Sequence, residues 1–240
     1  MRAIILVAGR GSRLPKNLSK IPKSLIKINN KSLFERQLNI FKSLNIKKIA
    51  IVTGYKKHLF KKFNLTEFHN KDWKKTNMVY SLSKAKKWLK RYECIVTYGD
   101  IIFNKRYVDQ LINSKKKLTI LFDKNWRILW RKRFQNPLSD AETFIFDKKK
   151  YLKEIGMKTN NYKKINGQFM GILKFKPSGW KEFDKCNQKY FKKNQKNFTT
   201  DVLNTLVKKE KFKIKVIEYN DKWSEIDSKK DIKITQKLFK

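Results

Sequence analysis

Four apolar residues, Ile4, Ile5, Leu6 and Val7, open directly into Gly9-Arg10-Gly11-Ser12-Arg13. That junction limits what the chain can fold into. A short uninterrupted apolar run reads as a strand buried on both faces, the kind found in parallel sheets. Glycines at its exit permit backbone angles that other residues resist and let a ligand approach the main chain. Backbone N–H groups in such a turn can converge on an anionic oxygen. Arg13 and Lys23 add cationic side chains, and Pro22-Lys23-Ser24-Leu25 leads into a second apolar run. The whole segment reads as a triphosphate cradle at the end of the first strand, which points to a nucleotide ligand.

The spacing excludes two familiar phosphate loops. A Walker loop needs G-x-x-x-x-G-K-[ST], and a dinucleotide fingerprint needs a third glycine where this chain continues through Leu14 to Pro15. What stands is G-x-G-x-R-L and then Pro22-Lys23. This compound pattern resembles the signature of the sugar-nucleotidyltransferase superfamily, whose members join a nucleoside triphosphate to a phosphorylated small molecule.

A chain of 240 residues can build one α/β domain with a substantial core. Its formal net charge of +40 invites a nucleic-acid or membrane-surface reading. Lysine far outnumbers arginine, however, and the lysines are spread along the whole chain. A dedicated phosphate binder would favour the forked guanidinium. The expectation is a solvated basic surface with no specific nucleic-acid partner. Cys94 and Cys186 lie far apart without C-x-x-C spacing, which argues against a disulfide framework or a zinc site. No stretch reaches the roughly 18 apolar residues of a membrane span. The N-terminus enters a core strand without a signal peptide, so a cytoplasmic location is expected.

Strand and helix alternate through the first half. Strands are expected over 2–8, 25–28, 48–53, 94–98 and 118–122. One helix starts near Ser32, with Glu35 placed for a capping box. Another runs from Thr76 or Asn77 to about 91, and a third covers 107–113. The second half is less regular, with antiparallel strands at 142–146 and 169–175. It continues with a helix at 197–210 capped by Thr199 or Thr200, a strand at 212–218 and a closing helix at 231–239. The fold class is therefore α/β, a Rossmann-like, doubly wound, mostly parallel mixed sheet with a small antiparallel insertion. The resemblance implies the nucleotidyltransferase version of that architecture, as a single domain over 1–240.

Two acidic residues stand out against the basic background. Asp100 ends the strand Val96-Thr97-Tyr98-Gly99, and Asp227 lies in Glu225-Ile226-Asp227 after the last strand. Magnesium is usually held by one or two carboxylates together with substrate phosphates. By itself Asp100 is better explained as a turn residue or helix cap. The resemblance implies that Asp100 and Asp227 hold Mg2+. It also implies that Ala8, Gly9, Arg10, Gly11, Ser12 and Arg13 hold the triphosphate, with Lys23 near the reacting phosphates. In this scheme an anionic oxygen of the acceptor attacks the α-phosphorus and expels pyrophosphate. The catalytic set is then Arg13, Lys23, Asp100 and Asp227.

Further landmarks are the segments 76–82, Asp123-x-x-Trp126 with Trp130, 137–142, 167–171 and Trp223-x-Glu225-Ile226-Asp227. They resemble the branch typified by CTP:phosphocholine cytidylyltransferases, with relatives acting on aminoethylphosphonate or phosphoglutamine. The resemblance implies CTP as donor and a small phosphorylated or phosphonylated, amine-bearing acceptor. Asn77 is placed to contact the base or, equally, to cap a helix. Trp126 and Trp130 could wall a cationic head group, with Asp140, Glu142, Gln168 and Glu225 as its polar partners. Equally, the i,i+4 spacing could turn both rings into the core. Arg131-Lys132-Arg133 would repel a cationic acceptor and is expected to point away from it or toward phosphate. The rival readings are a sugar-1-phosphate nucleotidyltransferase and a basic nucleic-acid-associated protein.

Overall fold

The apolar run at the start of the chain becomes a strand flanked by parallel neighbours on both sides. The computed structural model describes residues 1–11, 14–15 and 18–240. In order come β1 (Arg2–Val7), β2 (Lys27–Ile28), β3 (Lys31–Ser32), α1 (Leu33–Ser43), β4 (Ile49–Thr53), β5 (Thr66–His69), α2 (Met78–Lys84) and α3 (Lys86–Leu89). Then follow β6 (Cys94–Tyr98), β7 (Ile101–Ile102), α4 (Lys105–Asn113), β8 (Leu118–Asp123), α5 (Trp126–Arg133), β9 (Glu142–Phe146) and β10 (Leu152–Lys158). The chain closes with β11 (Gln168–Phe175), α6 (Pro177–Phe191), α7 (Thr199–Lys208), β12 (Lys215–Tyr219), β13 (Ser224–Glu225) and α8 (Lys229–Leu238).

Among the described residues, seven strands form the main sheet in the order β12-β8-β11-β6-β1-β4-β5. All neighbours pair in parallel except β11, which runs antiparallel between β6 and β8. Successive side chains of a strand face opposite sides, and β1 feeds two cores in this way. Ala3, Ile5 and Val7 pack with Phe34, Leu38 and Phe41 of α1, while Ile4 and Leu6 pack with Val79 and Leu82 of α2. The register sets Val7 opposite Thr53 and Leu6 opposite Tyr98, so the strand exits gather at one edge. Ligands of open α/β sheets bind at such carboxyl ends.

The mixed, doubly wound architecture agrees with the sequence, and one part of its wiring differs. Residues 142–146 and 169–175 are not partners in one insertion. β9 pairs with β10, a strand that the sequence did not reveal, and β11 joins the main sheet. Gly156, at a φ of +83° in β10, together with Lys153, Glu154 and Lys158 along the strand, breaks the apolar pattern that would have flagged it. The helix α1 begins as expected. Ser32 Oγ accepts from Glu35 N at 3.1 Å, and Glu35 Oε2 accepts from Ser32 N at 2.9 Å. For α7 the expected threonine cap is replaced by Asp201, whose Oδ2 accepts from Phe198 N at 2.7 Å. Thr199 is instead the first helical residue.

Candidate active site

Pro22 has a φ of −54° and an extended ψ of 138°, and it sets up a tight turn at Lys23–Leu25. That turn carries the Lys23 ammonium to 2.8 Å from Asp100 Oδ2 and 2.5 Å from Asp227 Oδ1. Burial pulls the pKa of this lysine down. The charges of Asp100, Asp227 and Glu225 outweigh burial and hold it above the ordinary lysine range. Lys23 is therefore charged at any working pH.

Asp100 is placed by its neighbours. A Cβ on Gly99 would lie 2.7 Å from Leu6 O and 2.8 Å from Val7 Cγ1, so only glycine lets the end of β6 lie against β1 here. Buried Gln37 staples the same turn, donating to Tyr98 O at 2.8 Å and Ile101 O at 2.9 Å and accepting from Thr97 Oγ1 at 2.7 Å. The second strand of the site arrives by pairing. β13 lies antiparallel to β7 with Glu225 opposite Ile101, and Ile226 N donates to Asp100 O at 3.0 Å. Asp227 follows directly. Its N–H is held by Asp231 Oδ2 at 3.0 Å, part of the capping box with which Ser228 starts α8.

One oxygen each from Asp100, Glu225 and Asp227 falls within 4.8 Å of the others. Burial, with the charge of Asp227 next to it, pushes the Glu225 carboxyl above the usual carboxylate range against the opposing pull of Arg133. Asp100 Oδ1 is buried without a hydrogen-bond partner among the described residues. An all-oxygen carboxylate set with an orphaned buried oxygen fits a hard divalent cation. Charge supports the fit. Asp100, Asp227 and Asp231, joined by Glu225 once a bound cation holds it ionised, gather three to four negative charges beside Lys23 and Arg133.

The cluster borders a cavity of about 510 Å³ at the carboxyl ends of β1 and β6. Ala8, Gly9, Arg10 and Gly11 line it with Lys23, Ser24, Asp100 and Asn77, and Trp73, Tyr98 and Phe198 add aromatic surface. Gly11 adopts a φ of +75°, the left-handed backbone that its place in the loop anticipates. Ser12 and Arg13 fall outside the described residues. Asn77 takes the helix-cap role and also faces the cavity. Its Oδ1 caps α2 by accepting from Met78 N at 2.9 Å.

The expected aromatic wall is not presented to a ligand. Trp126 and Trp130 are 2% and 4% exposed and pack in the core, because α5 turns its apolar side onto the sheet. Trp130 Nε1 donates to Asp140 Oδ2 at 3.0 Å, which ties up that carboxylate. Gln168 binds the backbone of Glu142 from both ends of its amide, at 3.2 and 2.6 Å. Glu142 itself is half-buried. Desolvation, with Asp140 and Asp201 nearby and only Lys158 opposing, raises its pKa to about 7. It also lies within electrostatic reach of Tyr98, whose ring lines the cavity.

Residues 3–149 match the family model for the MobA-like NTP transferase domain. The chain belongs to that family. Within this nucleotidyltransferase family it is 35% identical to the CTP:phosphoglutamine cytidylyltransferase of Campylobacter jejuni, over 98% of both chains. It is 33% identical to the choline-phosphate cytidylyltransferase of Haemophilus influenzae over 52% of this chain and 54% of that one. The solved CTP:phosphocholine cytidylyltransferase of Streptococcus pneumoniae shares the fold at a TM-score of 0.75 and 20% identity, over 100% of this chain and 99% of that one. The shared architecture is a mostly parallel central sheet with flanking helices, to which this chain adds small antiparallel sheets among its described residues.

Sequence reasoning missed several members of the site. Arg133 was expected to point away from the acceptor or toward phosphate; its side chain is instead 1% exposed and donates to Glu225, Asp227 and Asp231. Only its exposed neighbours Arg131 and Lys132 match the expected solvated face. Gln37 gave no signal beyond being a polar residue on the apolar side of α1. Asp231 was legible as the fourth residue of Ser228-x-x-Asp231 but reads there only as a capping box.

Proposed function

We propose that this nucleotidyltransferase transfers CMP from CTP to a small phosphorylated or phosphonylated compound bearing an amine, releasing pyrophosphate. The observation that carries a transfer reaction is the meeting of Lys23 with Asp100, Glu225 and Asp227 at the rim of a cavity lined by the glycine loop. Support for cytidine and for the acceptor class comes from the full-length likeness to the phosphoglutamine enzyme and the partial likeness to the choline-phosphate enzyme.

The attacking acceptor oxygen is already anionic, so no side chain has to remove a proton. A new P–O bond forms at the α-phosphorus, the bond to the β-phosphate oxygen breaks, and pyrophosphate carries that electron pair away. The protein's task is alignment and neutralisation of crowded negative charge. Backbone groups of Ala8 to Gly11, with Ser12 and Arg13, hold the β- and γ-phosphates. Lys23 places its fixed positive charge between donor and acceptor. Mg2+ on Asp100 and Asp227, with Glu225 beside them, supplies further charge neutralisation on the phosphates when bound. Asn77 borders the base, and Glu142 offers a carboxylate to the acceptor's amine.

Pyrophosphate release is the test. It is followed with Mg2+ and each nucleoside triphosphate against phosphoglutamine, phosphocholine, phosphoethanolamine, 2-aminoethylphosphonate and hexose 1-phosphates. The expected result is release with CTP and one amine-bearing acceptor, lost in Asp100→Ala while the fold persists. Release with a hexose 1-phosphate alone would move the chain to the sugar-nucleotide branch. A folded protein that binds no nucleotide would overturn the transfer reading.

A further inference from the structure

A buried arginine lies behind the carboxylate cluster, on the side away from Lys23. Arg133 ends α5, and its guanidinium donates through Nε to Asp231 Oδ1 at 3.0 Å and through Nη2 to Asp227 Oδ2 at 3.0 Å. Its third nitrogen, Nη1, reaches Glu225 Oε2 at 3.4 Å. The rings of Trp130 and Phe134 lie 5.2 and 5.0 Å from the guanidinium carbon, so the fork is fixed by packing as well as by charge. Lys230 Nζ donates to the backbone oxygen of Arg133 at 2.9 Å, tying the end of α5 to the start of α8.

This arrangement divides the two oxygens of Asp227 between opposite partners. Oδ2 is held by Arg133, and Oδ1 faces Lys23 and, beyond it, Asp100. The Asp227 backbone is held by Asp231, which Arg133 also grips. We infer that Arg133 is a positioning residue. It fixes Asp227 and Glu225 in the orientation that turns one oxygen of each toward Asp100. Buried carboxylates at such separations need a paired cation. A planar fork with several fixed donors can hold three of them in one geometry, whereas an ammonium acts as a point charge. This role rests on the metal-assisted reading of the site and adds to it a residue that touches neither metal nor substrate.

The discriminating variant is Arg133→Lys, which keeps the charge and removes the fork. Mn2+ uptake, followed by the electron paramagnetic resonance of the free ion with and without CTP, reports the cluster independently of turnover. We expect Arg133→Lys to keep native far-UV circular dichroism and to bind Mn2+ about tenfold or more weakly, the scale of losing an outer partner of a metal ligand. Asp231→Asn leaves the fork and all three cluster carboxylates in place, keeps an amide oxygen to accept from Asp227 N and Ser228 N, and removes the charge that anchors Arg133 Nε. It should weaken Mn2+ several-fold, and it decides the question if Arg133→Lys does not fold. Wild-type affinity in a folded Arg133→Lys protein, or in Asp231→Asn should the first not fold, would overturn the positioning role and leave the transfer reading standing. No Mn2+ uptake by the wild-type protein, with or without CTP, would overturn both.

Discussion

Lys23 and a divalent cation compete for the same negative charge. The ammonium already lies between Asp100 and Asp227, at 2.8 and 2.5 Å. Removing it should therefore have opposite effects on two measurements. Lys23→Gln is expected to bind Mn2+ more tightly in nucleotide-free protein, because Asp100 and Asp227 each lose a cationic neighbour. Turnover should fall by about 100-fold, the scale of losing one preorganised charge at the reacting phosphates. Slower turnover with unchanged Mn2+ affinity would show that Lys23 does not guard the cation's place. Glu142 carries the pH dependence at this scale. Its pKa of about 7 lies above the ordinary 4.5, so the fold favours its protonated form. Stability from this group is complete below about pH 4.5 and is lost as pH rises through 7. Acceptor binding should run the other way, since an amine is held by the ionised carboxylate. The acceptor KM is expected to drop as pH rises from 6 to about 8, and Glu142→Gln should abolish that drop. A wild-type KM that is flat over this range would remove Glu142 from the acceptor site.

At the scale of elements, the site depends on how firmly α1 holds the exit of β6. Gln37 satisfies two carbonyls and a threonine hydroxyl with one buried amide. Gln37→Met leaves those groups unsatisfied and should cost about 3 kcal/mol of stability by denaturant unfolding, within the range for lost buried partners. It should also slow turnover, since Asp100 hangs from the same turn. Loss of stability with full turnover would mean that the turn holds its shape without the staple. The same elements explain what was legible in the sequence. β1, β4, β6 and β8 stand where continuous apolar runs placed them, since a strand buried on both faces leaves that mark. β10 and α6 did not announce themselves in this way, with polar and apolar residues mixed along both. The contacts of Lys23 were foreshadowed by Pro22-Lys23 and by carboxylates after two strands. Arg133 was hidden because it sits in a basic run, and only the docking of α5 against α8 makes it a partner of three acids. The misplaced aromatic wall has a related cause. An i,i+4 tryptophan pair fits a ligand wall and a core face equally well, and here the sheet claims both rings.

For the whole molecule, the question is what a net charge of +40 does when the chemistry is confined to one acidic cluster. The cluster is largely buried and held by Lys23 and Arg133, so salt screens it less than the exposed lysines, which repel each other through solvent. That repulsion reaches about 10 Å at 0.1 M salt and about 3 Å at 1 M. The melting temperature should therefore rise as salt is added, opposite to what a fold held by surface ion pairs would do. Polyanions are expected to bind the same surface, with an affinity that falls steeply and log-linearly with salt. Polyphosphate or RNA should then inhibit pyrophosphate release at about 0.05 M salt and lose most of that effect by about 0.3 M. Asp100→Ala should bind the polyanion as the wild type does, because the surface lysines and not the cluster make the contact. Binding that persisted at high salt, or that required Asp100, would mean that the polyanion enters the cavity itself. The basic surface would then belong to the chemistry, and the acceptor would have to be sought among larger polyanionic substrates.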